Sequence, residues 1–282
     1  MFRRFLYHFF WNFYDYLGTY LLGGMLVTFT LLGLFILFSV VTQALSGILL
    51  QGGVGLLGIV VLTSLLAAGL SALFHFASLA ARDNPARFRH FREGVSALWR
   101  RYAAALLVWG AAVAIAVANV LFYLRIGPGL TAPAARVATV FAAMLFVWLL
   151  AGLLIYALPY FAAVARYGAD TSWRESARKA FVLFAVAPFF WISVTLLLGL
   201  LSALCLASVA GAVFVLPLFA SASSTALHLT VRYTEFLTRA REELGDGKPV
   251  AAYRIKAEEL ALEVDARTPR RGFRELIKPW EM

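Results

Sequence analysis

Four long stretches of this chain contain no Asp, Glu, Lys or Arg: Tyr16 to Ala81, Tyr102 to Leu124, Val137 to Ala165 and Ala180 to Val231. They hold 66, 23, 29 and 52 residues. The hydrocarbon core of a bilayer takes roughly 20 apolar residues per helical crossing, so the runs fit two, one, one and two crossings. An unpaired charge at that depth costs about 3 kcal/mol or more, which makes the gaps a physical requirement of insertion. The pattern predicts an all-α, polytopic membrane protein with six transmembrane helices.

At 62% hydrophobic and 14% charged, the 282 residues lie outside the soluble globular range. The formal charge of +10 could suggest nucleic acid, but the basic residues follow the membrane pattern instead. Twenty-three Lys and Arg fall in the N-terminus, the 82–101 and 166–179 connectors and the segment from Arg232 onward. The opposite loops hold only Arg125 and Arg136. By the positive-inside rule both termini are expected in the cytoplasm, with anionic headgroups as the partner of the basic loops and no nucleic acid. Arginine outnumbers lysine 21 to 4, a bias that points to a GC-rich bacterial genome and hence to a bacterial cytoplasmic membrane. Phe2-Arg3-Arg4-Phe5 before an apolar run resembles a signal peptide cleaved after Thr42-Gln43-Ala44. The apolar run is about twice the usual h-region and a second span follows at once, so a retained first helix is expected.

Three domains are expected: an aromatic interfacial segment over 1–18, the six-helix membrane domain over 19–240 and a cytoplasmic tail over 241–282. Phe5, Tyr7, Phe9, Phe10, Trp11, Phe13, Tyr14 and Tyr16 suit the headgroup level, so a surface helix leads into helix 1, about Thr19 to Gln43. A Gly-rich turn at Gln51-Gly52-Gly53 opens helix 2, about Val54 to Ala80. Phe88, Phe91, Val95, Leu98 and Tyr102 recur at helical spacing within the basic connector, which predicts a second surface helix lying flat on the inner leaflet. Helix 3 then runs from Ala103 to Leu124 and stops at Gly127-Pro128-Gly129. Helix 4 spans Val137 to Ala165, with a kink expected at Pro159. A short basic connector, Arg166 to Lys179, leads to helices 5 and 6, which turn near Ala207 to Gly211. Pro217 falls early in helix 6.

A repeat runs through this order. Phe91-Arg92-Glu93 and Trp173-Arg174-Glu175 are each followed 18 residues later by a tryptophan, Trp109 and Trp191. Phe76-Ala77-Ser78-Leu79-Ala80-Ala81-Arg82 echoes Phe161-Ala162-Ala163-Val164-Ala165-Arg166 with one gap. Together with Phe10-Trp11 this suggests three repeated helical hairpins, each introduced by an interfacial amphipathic helix.

Phe10-Trp11-Asn12-Phe13, the connector Phe88-Arg89-His90-Phe91-Arg92-Glu93 and the block Tyr160 to Lys179 resemble the YesL-like family of bacterial integral membrane proteins over about residues 5 to 240. The chain departs from that family's pattern at Ser39-Val40-Val41-Thr42, which lacks a proline after helix 1, and in a longer tail. The resemblance implies a polytopic membrane protein acting as an accessory to carbohydrate uptake, with no catalytic residues to carry over.

Two histidines lie within spans. Ser64, Ser71, His75 and Ser78 share one face of helix 2, and Ser221, Ser224, Thr225 and His228 share one face of helix 6. They form either a polar pathway or a set of small hydrogen-bonding residues that pack helices together, and the packing role is the expected one. Arg82, Arg87, Arg92, Arg100, Arg101, Arg174, Arg178 and Lys179 form the expected membrane-surface basic set. Gly110, Ala114 and Ala118, and Gly199, Ala203 and Ala207, make small-xxx-small stripes for ordinary helix packing. No catalytic, metal or cofactor residues are expected. The spans carry no Asp or Glu, Gly52, Gly53, Gly55 and Gly58 lack the Lys-Ser/Thr of a phosphate loop, and Cys205 is the single cysteine. The expected function is therefore a non-catalytic accessory or scaffold subunit of a membrane assembly. The alternative is a permease or facilitator for a small neutral solute.

The tail completes the reading. Gly245-Asp246-Gly247-Lys248-Pro249 ends helix 6 near Leu244, and Tyr253, Ala257, Leu260 and Val264 form one stripe of a short amphipathic helix. The next stretch, Arg267 to Lys278, mixes five basic residues with Phe273, Leu276 and Ile277, ahead of Trp280. This tail is expected to dock on headgroups or on a membrane-protein partner.

Overall fold

The computed structural model describes residues 1–45, 48–82, 84–168, 171–245 and 247–267. The basic and aromatic stretch from Thr268 onward lies outside them. Among the described residues there are nine α-helices and no strand: α1 Phe2–Asp15, α2 Leu17–Ala44, α3 Ile48–Ala80, α4 Arg89–Ile126, α5 Pro133–Tyr167, α6 Trp173–Val186, α7 Pro188–Leu206, α8 Val209–Leu244 and α9 Val250–Arg267. Six of them (α2, α3, α4, α5, α7 and α8) are long and apolar enough to cross a membrane. Leu26, Val108 and Trp148 are about two-thirds exposed or more on these helices, an apolar surface suited to lipid rather than water. The protein is an all-α, multi-pass membrane protein.

The chain forms two compact units, Met1–His228 and Leu229–Met282. In the first, amphipathic segments and apolar hairpins alternate in the expected order: α1 before α2–α3, the N-terminal turns of α4 before the rest of α4 and α5, and α6 before α7 and α8. Ring pairs recur at corresponding positions in the first two hairpins, edge-on in the first and stacked in the second. Tyr20 meets Phe76 at 5.2 Å between centroids, and Tyr102 meets Phe161 at 5.6 Å. The tyrosines lie 82 residues apart and the phenylalanines 85, close to the offsets of the sequence repeat.

Four expectations are corrected. Gln51-Gly52-Gly53 is helical, inside α3, which begins at Ile48. Nothing within 4 Å of Gly52 or Gly53 forces a break, and an α-helix accepts an uncrowded glycine at about 1 kcal/mol. The segment from Phe88 to Tyr102 is no separate surface helix. It is continuous with the following span in α4, because no breaker separates them. Of its stripe, Phe91, Leu98 and Tyr102 are buried by protein, Val95 is half-buried and Phe88 is exposed. A Cβ on Gly94 would stand 2.7 Å from Cβ of His75 and 2.8 Å from the Ser71 carbonyl oxygen, so α4 crosses α3 there at backbone contact.

The connector from Arg166 to Lys179 is in large part helix. Ser172 caps α6 by accepting the Glu175 N–H (3.3 Å), and Glu175 occupies the third helical position, the signature of a capping box. This amphipathic helix ends at Ala187 (φ −142°), where Pro188 starts α7. Helix 5 thus begins at Pro188 rather than at Ala180. Finally, the two small-xxx-small stripes make no close packing among the described residues. Gly110, Ala114, Ala118, Gly199, Ala203 and Ala207 are all exposed. The close helix approaches are made by other glycines: Gly23 against the Phe91 ring and Gly69 against Val27, each 2.6 Å from a built Cβ.

In the second unit, the α8 extension beyond His228 and α9 form a helical pair around a turn in which Gly245 and Gly247 adopt φ +73° and +92°, a conformation that favours glycine. Lys256 lies 3.5 Å from Glu243 and from Glu259. Ala240, Ala257 and Ala261 are buried, while Tyr253, Leu260 and Val264 of the α9 stripe are half-buried.

Candidate functional site: a buried hydroxyl belt on α8 and its basic end

α8 is enclosed in the first unit as no other helix is. Eight consecutive residues, Ala220 to Leu227, are at most 4% exposed, which requires neighbours on all sides. Small side chains make this possible: seven of the eight are Ala, Ser or Thr. α2 supplies one wall. Gly24 lies against Pro217 (2.8 Å from a built Cβ to Cγ) and against the Val213 carbonyl. One turn earlier, Tyr20 faces Ser221. The pairing 20 with 221 and 24 with 217 makes the two helices antiparallel.

The polar lane expected on this helix is present, and larger than expected. Ser221, Ser224 and Thr225 are buried together with Ser223, which the sequence reading did not include. The hydroxyl oxygens of all four are enclosed without a hydrogen-bond partner, as is that of Tyr20, although it is turned toward Ser221. A buried hydroxyl without a partner costs about 1–3 kcal/mol, so this belt is a concentration of unmet hydrogen-bonding capacity. Ser223 was missed because it lies off the face shared by Ser221, Ser224 and Thr225. Only the full enclosure of the helix buries it.

The α3 lane behaves differently. Ser64 donates to the Val60 carbonyl (2.8 Å), Ser71 to Ala68 (2.8 Å) and Ser78 to His75 (2.9 Å). Each is satisfied within its own helix, as packing hydroxyls in spans commonly are. The imidazole Nδ1 of His75 is buried without a partner beneath the α4 crossing. Tyr20 links the two lanes, since it touches Phe76 of α3 as well as Ser221.

His228 belongs to another set. Its Nδ1 lies 3.4 Å from Nη1 of Arg166, and Arg82 donates from Nη2 to the Arg166 carbonyl (3.3 Å). Burial, and next the charge of Arg166, holds the Arg82 guanidinium below its usual range. The other basic residues divide. Arg87, Arg92, Arg100, Arg174 and Arg178 are exposed. Arg101 donates to the Thr171 carbonyl, and Lys179 pairs with Glu175 at 2.9 Å while sitting 4.8 Å from the Tyr167 ring centroid. Among the described residues no three His, Cys, Asp or Glu side chains gather as a metal site would need.

No family model, no curated protein and no solved structure matches this chain.

Proposed function

We propose that this protein is a non-catalytic accessory or scaffold subunit of a membrane assembly in a bacterial cytoplasmic membrane, with both termini in the cytoplasm. The observation that carries this reading is the enclosure of α8 from Ala220 to Leu227. A conduction path needs a lining open to water on at least one side at some stage. Here the innermost helix is sealed by Ala, Ser and Thr against its neighbours, and one wall stands at backbone contact through Gly24. Basic side chains gather at one end of the first unit instead, where a partner or headgroups can reach them. Within the first unit twelve Lys and Arg lie at that end against Arg125 and Arg136 in the opposite loops, which supports a cytoplasmic position for it. The YesL-like resemblance points to carbohydrate uptake systems as the first assemblies to test, and the C-terminal tail offers a second contact for a membrane-protein partner.

One observation favours a second reading, a facilitator for a small neutral solute. The unpartnered hydroxyls of Tyr20, Ser221, Ser223, Ser224 and Thr225 are the type of group that would hold a polyol in the span. Reconstitution separates the two readings. Proteoliposomes loaded with impermeant sugar are mixed with glycerol or a pentitol, and swelling is followed by light scattering. Swelling at the rate of empty liposomes, with migration of the chain in a larger complex after mild extraction from its native membrane, is the result expected. Solute-dependent swelling abolished by Ser224→Leu would replace the subunit reading with the facilitator.

A further inference from the structure

At the basic end of the first unit, Arg82 and Arg166 are neighbours, and among the described residues neither pairs with an acid. Arg82 follows α3 by two residues, and Arg166 is the penultimate residue of α5. Both therefore stand where candidate spans finish. Each already spends part of its fork on protein: Arg82 Nη2 on the Arg166 carbonyl at 3.3 Å, and Arg166 Nη1 beside His228 Nδ1 at 3.4 Å. The Nε–H of Arg82 is buried and has no partner. Among the described residues neither guanidinium lies within ion-pair range of a carboxylate. Arg166 also lies over the Tyr167 ring at 5.7 Å, which holds its guanidinium in place.

Arg82 reaches the backbone of Arg166, so the two cations repel, and with the buried Nε–H of Arg82 unused a bound anion offsets that repulsion. The donors are planar and forked, a geometry that matches the oxygens of a phosphoryl group better than a point charge would. We propose that Arg82 and Arg166, with His228 beside them, bind a phosphoryl group at headgroup depth. Its source is either the phosphodiester of an anionic lipid or free phosphate.

The test uses the full-length protein purified in mild detergent. Thermal unfolding and native mass spectrometry are measured with added phosphatidylglycerol, with phosphatidylcholine and with inorganic phosphate. Retention of phosphatidylglycerol with a raised Tm, and no effect of inorganic phosphate, supports a lipid-occupied site. A raised Tm with inorganic phosphate alone supports a soluble ligand. In either case Arg82→Gln/Arg166→Gln is expected to bind about tenfold more weakly or worse, while Arg87→Gln, at an exposed position, binds as the wild type does. The proposal is overturned if the double variant and the wild type bind these ligands equally, or if neither ligand binds the wild type. If the double variant does not fold, Arg82→Lys serves instead. It keeps the charge and loses the fork, and undiminished binding by it overturns the bidentate site.

Discussion

Gly24 of α2 fills the place of a missing hydrogen-bond donor at Val213 of α8. Pro217 has no N–H, so the Val213 carbonyl four residues earlier loses its ladder partner. Val213 is buried, and a Cβ at Gly24 would collide with its carbonyl oxygen and stand 2.8 Å from Pro217 Cγ. The Cα hydrogen of Gly24 points at that oxygen instead, a weak C–H···O contact of the sort found at close helix crossings. Gly24→Leu must therefore push α2 off α8, at a cost of about 1–3 kcal/mol or more. Thermal unfolding in detergent should show this loss, whereas Gly33→Leu, with open space around it, should leave Tm nearly unchanged.

The two repeat-related tyrosines make opposite predictions. Tyr102 donates from its hydroxyl to the Phe161 carbonyl at 2.7 Å, while the hydroxyl of Tyr20 has no partner; both residues are fully buried. Tyr102→Phe is expected to cost about 1 kcal/mol, the net worth of one buried hydrogen bond. Tyr20→Phe removes an unmet donor and is expected to be neutral or stabilising. Equal losses of Tm in the two variants would show that Tyr20 has a bonding partner in solution.

The same logic extends along α8. Ser223→Ala and Thr225→Val each delete a buried hydroxyl without a partner at almost constant volume. In the subunit reading both raise stability, by up to about 1–3 kcal/mol each, and leave the assembly intact. Destabilisation by both variants would mean that water or solute occupies the belt, and would favour the facilitator.

What could be read from the sequence follows the strength of each physical signal. The six spans were legible because charge exclusion acts over some 20 residues and leaves gaps no local accident can mimic. The α7–α8 turn and the end of α8 at Leu244 were also legible, the latter because Gly245 and Gly247 require positive φ. The union of the Phe88–Tyr102 stripe with its span was not legible. The stripe shows amphipathicity, and whether lipid or α3 covers it depends on Gly94, whose role as a contact point exists only in three dimensions. Pro188 was a visible breaker that the charge-free run around it obscured. Of the α8 belt, the helical face at Ser221, Ser224 and Thr225 was legible, but the orphaning of its hydroxyls depends on packing from all sides.

Topology gives a direct test of the membrane assignment. Six crossings place Gly129, after α4, and Gly245, after α8, on opposite faces. Single cysteines at these two positions, in a Cys205→Ser background, should react with an impermeant maleimide from opposite sides of sealed vesicles, with Gly245 on the cytoplasmic side. Labelling of both from one side would remove a crossing.

The tail tests whether the second unit is a folded appendage. Among the described residues its turn is held by Tyr253: the hydroxyl donates to the Gly245 carbonyl (2.8 Å) and accepts the N–H of Lys248 (3.0 Å). Glu243, the foremost influence, and Glu259 raise the pKa of Lys256, which lies between them. The 18-residue α9 is at the margin of stability for an isolated helix, so its persistence depends on this turn and on the buried Ala257 and Ala261. Trypsin cuts at Arg254 and Lys256 only when α9 unwinds, since the protease needs extended backbone. Slow cleavage at both sites in the wild type is therefore expected, with several-fold faster cleavage in Tyr253→Phe and in Ala257→Asp. Rates for the wild type equal to those of an unstructured peptide of the same sequence would show that α9 does not hold to the α8 extension.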